Sequence, residues 1–420
     1  MSYVLGIDIG NGNTTVALSR LDGVEPGPAD VVWLGERSAR VASALSVTPD
    51  GTVRPEPWPE PDPGGRTVRG FRDRIGDPVP LLFDDEPAAA EALTAVLAVW
   101  AARRVAAQEG GPAGRVVVPH PAGWGAYRTG LLYDALERVG LGPVTLLPGP
   151  VAVAEGYAAS QPVEVGQAFA VYRLGGTGFE AAVVRRTAHG TFEVLASARS
   201  TEPAGGTVFD DAVLDRVRDR LGPAHGPDPA VLRRECVAAK ERLSTVDETA
   251  VPVPGAAGPV RLTRAEFEAA IRPAVADTVT TLCQTVHAAG LAPEDLEAVL
   301  LTGGSSRVPL VGALVAAALP TRVRIESEPE HTTARGAAVT ARLLVDRHRY
   351  PAPPERPGPP VEVGWDGAAP DEPPARPPVA LTPLELPDRR AGRPVLSPLV
   401  LGLLVAVAVQ VAGLALILFR

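Results

Sequence analysis

The chain has 420 residues, of which 45% are hydrophobic, so it can bury a sizeable core and has room for about two domains. Its formal net charge is −9 and its cationic residues are scattered, which argues against nucleic acid as a partner. The two cysteines, Cys236 and Cys283, lie in apolar helical patterns, and no pair of the six histidines has metal-ligand spacing, so neither a disulfide scaffold nor a zinc site is expected.

The elements predicted in chain order alternate between β-rich runs and amphipathic helices from residue 3 to about residue 346, which favours an α/β architecture. Met1 leads directly into the first strand, so no signal peptide is expected. The predicted strands are residues 4–9, 14–18, 115–118, 168–174, 180–184, 192–196 and 298–301. The predicted helices are residues 86–107, 123–139, 229–244, 264–289 and 332–344.

The composition changes after residue 350, where Pro, Glu and Arg dominate up to residue 394, as is typical of a semi-extended linker. Residues 399–419 are an uncharged apolar run, long enough at ~1.5 Å per residue to cross a hydrocarbon layer of ~30 Å, and predict one transmembrane helix. Arg389, Arg390 and Arg393 precede this run and only Arg420 follows it. The positive-inside rule therefore places the large domain on the cytoplasmic side.

Lysine occurs once, at Lys240. A Walker loop ends in Gly-Lys-Ser or Gly-Lys-Thr, whereas Lys240 follows two alanines, so the P-loop class of nucleotide binders is excluded.

A glycine-rich turn between two predicted strands is the first candidate for a phosphate site. Residues 6–18 read GIDIGNGNTTVAL, in which backbone N–H groups of the turn can face an anion. Asp8, at the end of the first strand, stands where a metal bridging phosphates would be held. A dinucleotide fingerprint is the rival, but that motif opens a helix, whereas residues 14–18 are strand-like.

A second hairpin of the same kind, AVYRLGGTGFEAAV, follows at residues 170–183. Two such hairpins about 165 positions apart imply a duplicated fold with phosphates held between the halves. The alternative is a pair of ordinary hairpins with flexible tips.

These motifs and others in order resemble the DnaK-type heat-shock chaperones of the actin-like ATPase superfamily, over roughly residues 3–346. The matching segments are VVVP (116–119), LLPGPVAVA (146–154), GGTVFD (205–210), AKERLS (239–244), LTGGSSRVP (301–309), EPE (328–330) and RGAA (335–338). The adenosine motif at residues 301–309 is the most specific of them.

The resemblance implies an ATP or ADP site in a two-lobed cleft. Gly303 and Gly304 would let the base lie on the backbone, Arg307 would stack on it, and Lys240 and Ser244 would contact the ribose. Lys240 as a solvated surface lysine stays an alternative. The implied nucleotide-binding residues are Gly10, Asn11, Gly12, Asn13, Arg173, Gly175, Gly176, Thr177, Gly205, Gly206, Lys240, Ser244, Gly303, Gly304, Ser305, Arg307 and Glu330, with Asp8 as the metal ligand.

Several hydrolytic residues of the family are missing. The family begins its second hairpin with an aspartate where this chain has Arg173, and it has a glutamate where this chain has Gly149. Its lysine is expected near residues 53–59, where no lysine occurs, and Glu180 replaces a further aspartate. We expect Arg173 either to pair with Asp8 or to neutralise phosphate oxygens, which leaves the use of Mg²⁺ in doubt.

The predicted organisation is two actin-like lobes at residues 1–184 and 185–347, a linker at 348–394 and a membrane helix at 395–420. No segment after residue 346 resembles the family's peptide-binding domain. The leading function is a membrane-anchored, DnaK-like, chaperone-related and stress-response protein that binds ATP and hydrolyses it weakly or not at all, with an unknown protein partner. A small-molecule kinase of the same superfamily and a membrane scaffold that binds no nucleotide are the alternatives.

Overall fold

The computed structural model describes residues 2–22, 29–36, 38–47, 53–55, 66–83, 86–200, 202–221, 228–255 and 258–349. Residues Met1–Asp346 form one unit of the chain. The predicted linker from residue 350 onward and the predicted membrane helix lie outside the described residues. Among the helices that are described, none combines the length and the apolar character needed to cross a membrane.

The first sheet begins with an antiparallel hairpin and is extended by parallel strands. Its strands are β1 (Tyr3–Ile9), β2 (Asn13–Arg20), β3 (Asp30–Val31), β4 (Arg40–Ala42), β10 (Val116–His120) and β11 (Val144–Pro148). On one side β1 pairs with β2, and on the other side it pairs with β10, which pairs in parallel with β11. The strand order is therefore β11-β10-β1-β2-β3, and β4 also pairs with β2.

The second sheet repeats this plan, with the order β14-β13-β12-β17-β18. Its hairpin is antiparallel, and β12 pairs in parallel with β17, which pairs in parallel with β18. Its strands are β12 (Ala168–Leu174), β13 (Phe179–Arg186), β14 (Phe192–Arg199), β17 (Leu296–Thr302) and β18 (Val323–Ile325). The topology therefore contains the duplication that the two glycine hairpins predict.

Three small antiparallel sheets lie outside these two. They are formed by β5 (Ala44–Val47) with β6 (Val53–Pro55) and β7 (Arg66–Arg69), by β8 (Leu81–Phe83) with β9 (Glu86–Ala88), and by β15 (Glu248–Val251) with β16 (Val260–Thr263).

Helices cover the sheets and close two main hydrophobic cores. The described helices are α1 (Ala90–Glu109), α2 (Ala126–Arg138), α3 (Gly149–Ala158), α4 (Gly206–Leu221), α5 (Pro229–Leu243), α6 (Arg264–Ala288), α7 (Pro309–Ala318) and α8 (Thr332–Arg349). One core joins β1, β2 and β10 to α1 and α2, and the other joins β12, β13 and β17 to α4, α5, α6 and α7.

The last helix returns to the first sheet. Ala337 and Ala341 of α8 pack with Val4 and Val117, and a Cβ added to Gly6 would lie 2.2 Å from the carbonyl oxygen of Ala334. The predicted boundary at residue 184 does not follow the sheets, because β12 pairs with β17 and carries its partner β13 into the second sheet. The predicted linker start at residue 348 falls inside α8.

The predicted helices differ from the structure at several ends, the last one continues from residue 344 to Arg349, and α3, α4 and α7 were not predicted. The helix predicted from residue 86 begins at Ala90, because Glu86–Ala88 pairs with β8 and Ala89 has extended backbone. The strand predicted at 168–174 has the same bounds in the structure, and the other predicted strands differ from it at their ends by one to three residues.

Candidate functional site

Two glycine-rich turns meet at the centre of the described unit. Gly10 N–H donates to the carbonyl of Asn13 at 2.9 Å, and Gly175 N–H donates to the carbonyl of Gly178 at 2.9 Å. Each turn is therefore closed by a backbone hydrogen bond between residues three positions apart. A Cβ added to Gly12 would lie 3.7 Å from the Cα of Gly176. The tips of the two hairpins are therefore near contact.

A third loop completes this arrangement after β17. Gly303 has φ +87°, and a Cβ there would lie 2.3 Å from the carbonyl oxygen of Leu174, so only glycine fits. The hydroxyl of Ser305 donates to the carbonyl of Gly175 at 2.9 Å. The structure thus brings together the three bends that the sequence singled out.

The bends enclose a cavity of about 1080 Å³, large enough for a nucleotide. The predicted site residues that line it are Asp8, Gly10, Asn11, Gly12, Asn13, Arg173, Gly175, Gly176, Thr177, Gly206, Lys240, Ser244, Gly303, Gly304, Ser305, Arg307 and Glu330. Gly205 is not among the lining residues. It packs behind the second turn, where a Cβ would lie 2.4 Å from the carbonyl oxygen of Gly175.

An ion pair between the two hairpins dominates the phosphate end of the cavity. Asp8 lies two residues before Gly10, and Arg173 lies two residues before Gly175, so they hold equivalent positions. Nη2 of Arg173 donates to both carboxylate oxygens of Asp8, at 3.0 and 2.9 Å, and both side chains are largely buried. Of the two expectations for Arg173, pairing with Asp8 is the one that the structure contains.

Arg173 also faces a second carboxylate, because it stands directly opposite Glu180 in the β12–β13 ladder. Burial by itself would lower the pKa of Arg173, but the charges of Asp8 and Glu180 outweigh burial and raise it. Glu180 is 4% exposed, and its Oε1 accepts the backbone N–H of Ala122 at 2.8 Å. Arg173 is thus a tethered cation between two buried carboxylates.

The donor set does not fit a Mg²⁺ ion. Both oxygens of Asp8 are taken by Arg173, and the described residues hold no group of three or more His, Cys, Asp or Glu side chains that could bind a metal. A divalent ion beside Arg173 would be repelled by about 4 kcal/mol per unit charge at ~4 Å with an effective dielectric of ~20. The sign of the charge at residue 173 accounts for this misfit.

At the nucleoside end, Arg307 is held by a two-point pair with Glu330. Its Nε and Nη2 donate to the two carboxylate oxygens at 2.9 and 2.7 Å. Burial pushes the pKa of Glu330 up, but the hydrogen bonds from Arg307 and the backbone, together with the charges of Arg307 and His331, outweigh burial and lower it. The pairing fixes the guanidinium plane at the wall where stacking on a base was predicted.

Lys240 is engaged within the protein. Its ammonium lies 2.6 Å from the carboxylate of Asp210 and donates to the carbonyl of Gly206 at 3.3 Å. Burial raises the pKa of Asp210, and the nearby charge of Lys240 opposes that shift. The predicted role on the ribose stays a prediction, whereas the alternative of a solvated surface lysine is contradicted by a side chain that is only 14% exposed.

One arginine that lines this cavity was not among the site residues predicted from the sequence. Arg72 lies in the short 3-10 helix Arg72–Arg74 after β7, is 7% exposed, and lines the cavity with its neighbour Asp73. Asp73 in turn accepts two hydrogen bonds of 3.1 Å from Arg199 of the second sheet. The only signal in the sequence is a basic residue two positions after Gly70, which lies beyond residues 53–59, where the family lysine was expected.

Comparison with known proteins identifies the family. The model of the family described as Hsp70 protein matches residues 83–350, which is more than half of the chain. The chain belongs to the Hsp70 family. The resemblance to DnaK-type proteins is thereby confirmed at the level of the family, and the mixed α/β architecture fits the Hsp70 actin-like ATPase fold.

Curated members of the Hsp70 family give the same result. The chain is 34% identical to a chaperone protein HscA homolog of Pseudomonas putida, over 59% of this chain and 39% of the relative. It is 34% identical to chaperone protein HscA of Pectobacterium carotovorum, over 60% and 40% respectively. An HscA homolog of Azotobacter vinelandii is 29% identical over 82% of this chain and 58% of the relative. The chain thus spans about two fifths of the first two relatives.

The described unit is an Hsp70-type nucleotide-binding domain, and the Hsp70 family binds ATP and ADP. The resemblance to the family calls for a glutamate at the position of Gly149. Gly149 begins α3 at a buried position, where a Cβ would lie 3.5 Å from the carbonyl oxygen of His120. The glutamate expected from the family resemblance is absent from this place.

Proposed function

We propose that this protein is a membrane-anchored Hsp70-type module that binds ATP or ADP and hydrolyses ATP slowly or not at all. The observation that carries the proposal is the two-point pair between Asp8 and Arg173 in the cavity. The pair occupies the only carboxylate of the first hairpin and places a positive charge where a metal ion would be attracted.

The three glycine bends supply the binding surface in this proposal. Backbone N–H groups of the turns at Gly10–Asn13 and Gly175–Gly178 face the phosphates, and the loop at Gly303 and Gly304 accepts the base beside Arg307. Loss of a positioned base typically lowers a rate by ~10²–10⁴-fold, and this chain has Gly149 and Arg173 where the family resemblance calls for carboxylates. Nucleotide binding without fast turnover is the combination that these residues support.

Binding without chemistry still provides a signal. A nucleotide that binds only the closed form of a two-lobed clamp shifts the population towards that form and so changes the surface offered to a partner. The proposal therefore includes a nucleotide-gated, chaperone-related role in the stress response with a protein partner of unknown identity.

A thermal-shift assay on the full-length chain tests nucleotide binding. Ligand at 100 times its Kd stabilises the folded state by about 2.7 kcal/mol, so ATP and ADP are expected to raise the midpoint of unfolding. Release of phosphate from ATP is measured on the same preparation, and it is expected to stay at background. Absence of any shift with either nucleotide would favour the non-binding scaffold, and rapid magnesium-dependent turnover would contradict weak hydrolysis.

The membrane anchor rests on the sequence of residues 399–419. By the positive-inside rule, the cationic residues before this span favour a cytoplasmic position for the domain in this proposal. Cell fractionation of the full chain, with a variant that ends at residue 394 as its control, tests the anchor. The full chain is expected to stay with membranes after alkaline extraction and the shorter variant to be released; a full chain in the soluble fraction contradicts the proposal.

A further inference from the structure

The two sheets, each with its helices, form two halves that are joined across the cavity by ion pairs of different burial. The pair of Asp8 and Arg173 is deep, with side chains 9% and 16% exposed. Nearer to solvent, Nη2 of Arg40 donates to Oε1 of Glu241 at 2.7 Å, and these side chains are 23% and 46% exposed. All four residues line the cavity. The pair of Arg40 and Glu241, which we call the strap, therefore crosses the cavity on its solvent side.

The strap joins one element of each half. Arg40 begins β4, which pairs with β2 of the first sheet, and stands opposite Thr15 in that ladder. Glu241 lies in the last turn of α5, whose Leu243 packs in the core of the second sheet. A Cβ added to Gly304 would lie 3.8 Å from Nη1 of Arg40. The strap is thus at the nucleoside end of the cavity, beside the loop that follows β17.

A second exposed pair joins the halves at the phosphate end. Asp73, in the 3-10 helix after β7, accepts two hydrogen bonds of 3.1 Å from Arg199, the last residue of β14. Because Asp73 also accepts a hydrogen bond from Arg72, a substitution there would disturb two arginines at once. The strap is the clearer of the two pairs to test.

We infer that the strap holds the mouth of the cavity closed and must open before a nucleotide enters or leaves. This inference rests on the proposed function, because it concerns the lifetime of a nucleotide in the same cavity. Where hydrolysis is slow or absent, release ends the bound state, and opening motions limit release in many enzymes. The strap thereby determines how long the nucleotide-bound form is presented to a partner.

The kinetic effect of the strap differs from that of a contact with the ligand. The strap consists of the protein's own side chains, so it closes the cavity with or without a nucleotide. Its loss should therefore speed entry and release by the same factor and leave the Kd nearly unchanged. Partly exposed ion pairs change an equilibrium by roughly 2- to 5-fold, and salt screens them.

Stopped-flow mixing of the full-length chain with ADP that carries a fluorophore on its ribose, in EDTA, measures both rate constants. Glu241→Gln is expected to raise the association and the dissociation rate constant about 2- to 5-fold each. Raising NaCl from about 0.05 M to about 0.5 M should speed release from wild type and should change release from the variant less.

Glu193→Gln is the matched control. Glu193 is also 46% exposed and pairs at 2.7 Å with Arg185, but these two residues face each other within the second sheet. This variant is expected to release ADP at the rate of wild type. A cycle of Arg40→Gln, Glu241→Gln and the double variant then separates the strap from direct contacts with the ligand. The strap predicts that the double variant releases ADP no faster than the faster single variant.

Hydrogen exchange of the chain without nucleotide gives a readout that does not depend on ligand binding. Amides of β4 and of the last turn of α5 should exchange faster in Glu241→Gln than in wild type, and Glu193→Gln should leave them unchanged. Wild-type rate constants in Glu241→Gln, or additive effects in the cycle, overturn the strap while nucleotide binding stands. If no variant binds ADP, the proposed function fails; unchanged exchange in Glu241→Gln then overturns the strap as well, and faster exchange supports closure of the cavity by the strap.

Discussion

The two halves of the cavity share a backbone plan and differ in the charges that they present. Each half has a hairpin with a glycine turn and a parallel strand beside it, and Leu5 and Ala170, 165 residues apart, pair with Val116 and Val299. The same spacing makes Asp8 and Arg173 equivalent. Duplication therefore positions two side chains face to face, and their opposite signs convert a possible metal site into an internal ion pair.

The parallel strands differ in a similar way. Val116 and Val299 hold equivalent positions in the two sheets. His120 lies four residues after Val116 and Gly303 lies four residues after Val299, so these two residues are also equivalent. His120 is buried and stacks near Trp124, whereas Gly303 opens a loop that lines the cavity. One strand end therefore serves packing and the other serves the candidate nucleoside site.

Breaking the pair between the halves should have the largest effect. Arg173→Met leaves the carboxylate of Asp8 buried without its cation, and loss of one partner of a buried pair costs about 3–5 kcal/mol. Adding Asp8→Asn to this variant should restore part of the loss, because the carboxylate of Asp8 is then no longer buried without a cation, while Glu180 still lacks the positive charge of Arg173. Urea unfolding of both single variants and the double variant measures the coupling free energy.

The exposed pair Arg185–Glu193 on the second sheet is the control for that cycle. Arg185→Met should cost less than about 1 kcal/mol, since both side chains are nearly half exposed. Additive effects of the substitutions at Asp8 and Arg173 would mean that the pair does not couple the two halves.

Substitution of Gly303 sharpens the contrast between the strand ends. Gly303→Ala combines a positive-φ backbone conformation that favours glycine, which costs about 1–3 kcal/mol, with a clash against the carbonyl of Leu174. Gly110 also has positive φ, at ψ 21° rather than 145°, and a Cβ there meets nothing within 4 Å, so Gly110→Ala serves as a positive-φ control without a clash. Gly303→Ala should be the more destabilised of the two in urea and should alone weaken nucleotide binding. Equal losses would contradict the close approach of the loop to β12.

The buried histidine of the first half should give the smallest effect, a dependence of stability on pH. Burial lowers the pKa of His120 from its ordinary 6.5, so the unfolded chain binds more protons than the folded chain once the pH falls below that value. Stability should then fall with pH, by at most about 1.4 kcal/mol per pH unit for one proton. His331, whose pKa burial also lowers, contributes in the same direction.

Unfolding of wild type and His120→Gln between pH 7.5 and pH 5.5 measures the share of His120. The carboxyls of Asp73 and Glu330 have lowered pKa values, but their contributions are lost only below their ordinary values of 3.8 and 4.5. These two carboxyls therefore do not change the free energy of unfolding between pH 7.5 and pH 5.5. If the free energy of unfolding of His120→Gln depends on pH as steeply as that of wild type, His120 does not cause the dependence.

The sequence predicted local patterns well and tertiary partners poorly. The hairpins at Gly10 and Gly175 were predictable because glycine, β-branched residues and spacing act over a few positions. The pairing of Arg173 with Asp8 followed from the duplication as one of two alternatives. Arg72 was missed because its burial depends on how β7 and the 3-10 helix pack, which no local pattern records.

Calorimetric titration of ATP into the full-length chain, with magnesium and with EDTA, measures whether the cavity binds nucleotide without a metal ion. ATP is expected to bind in EDTA at least as tightly as in magnesium, because Arg173 already holds the carboxylate that a metal ion would need. Binding that requires magnesium, accompanied by steady ATP turnover, would contradict this expectation.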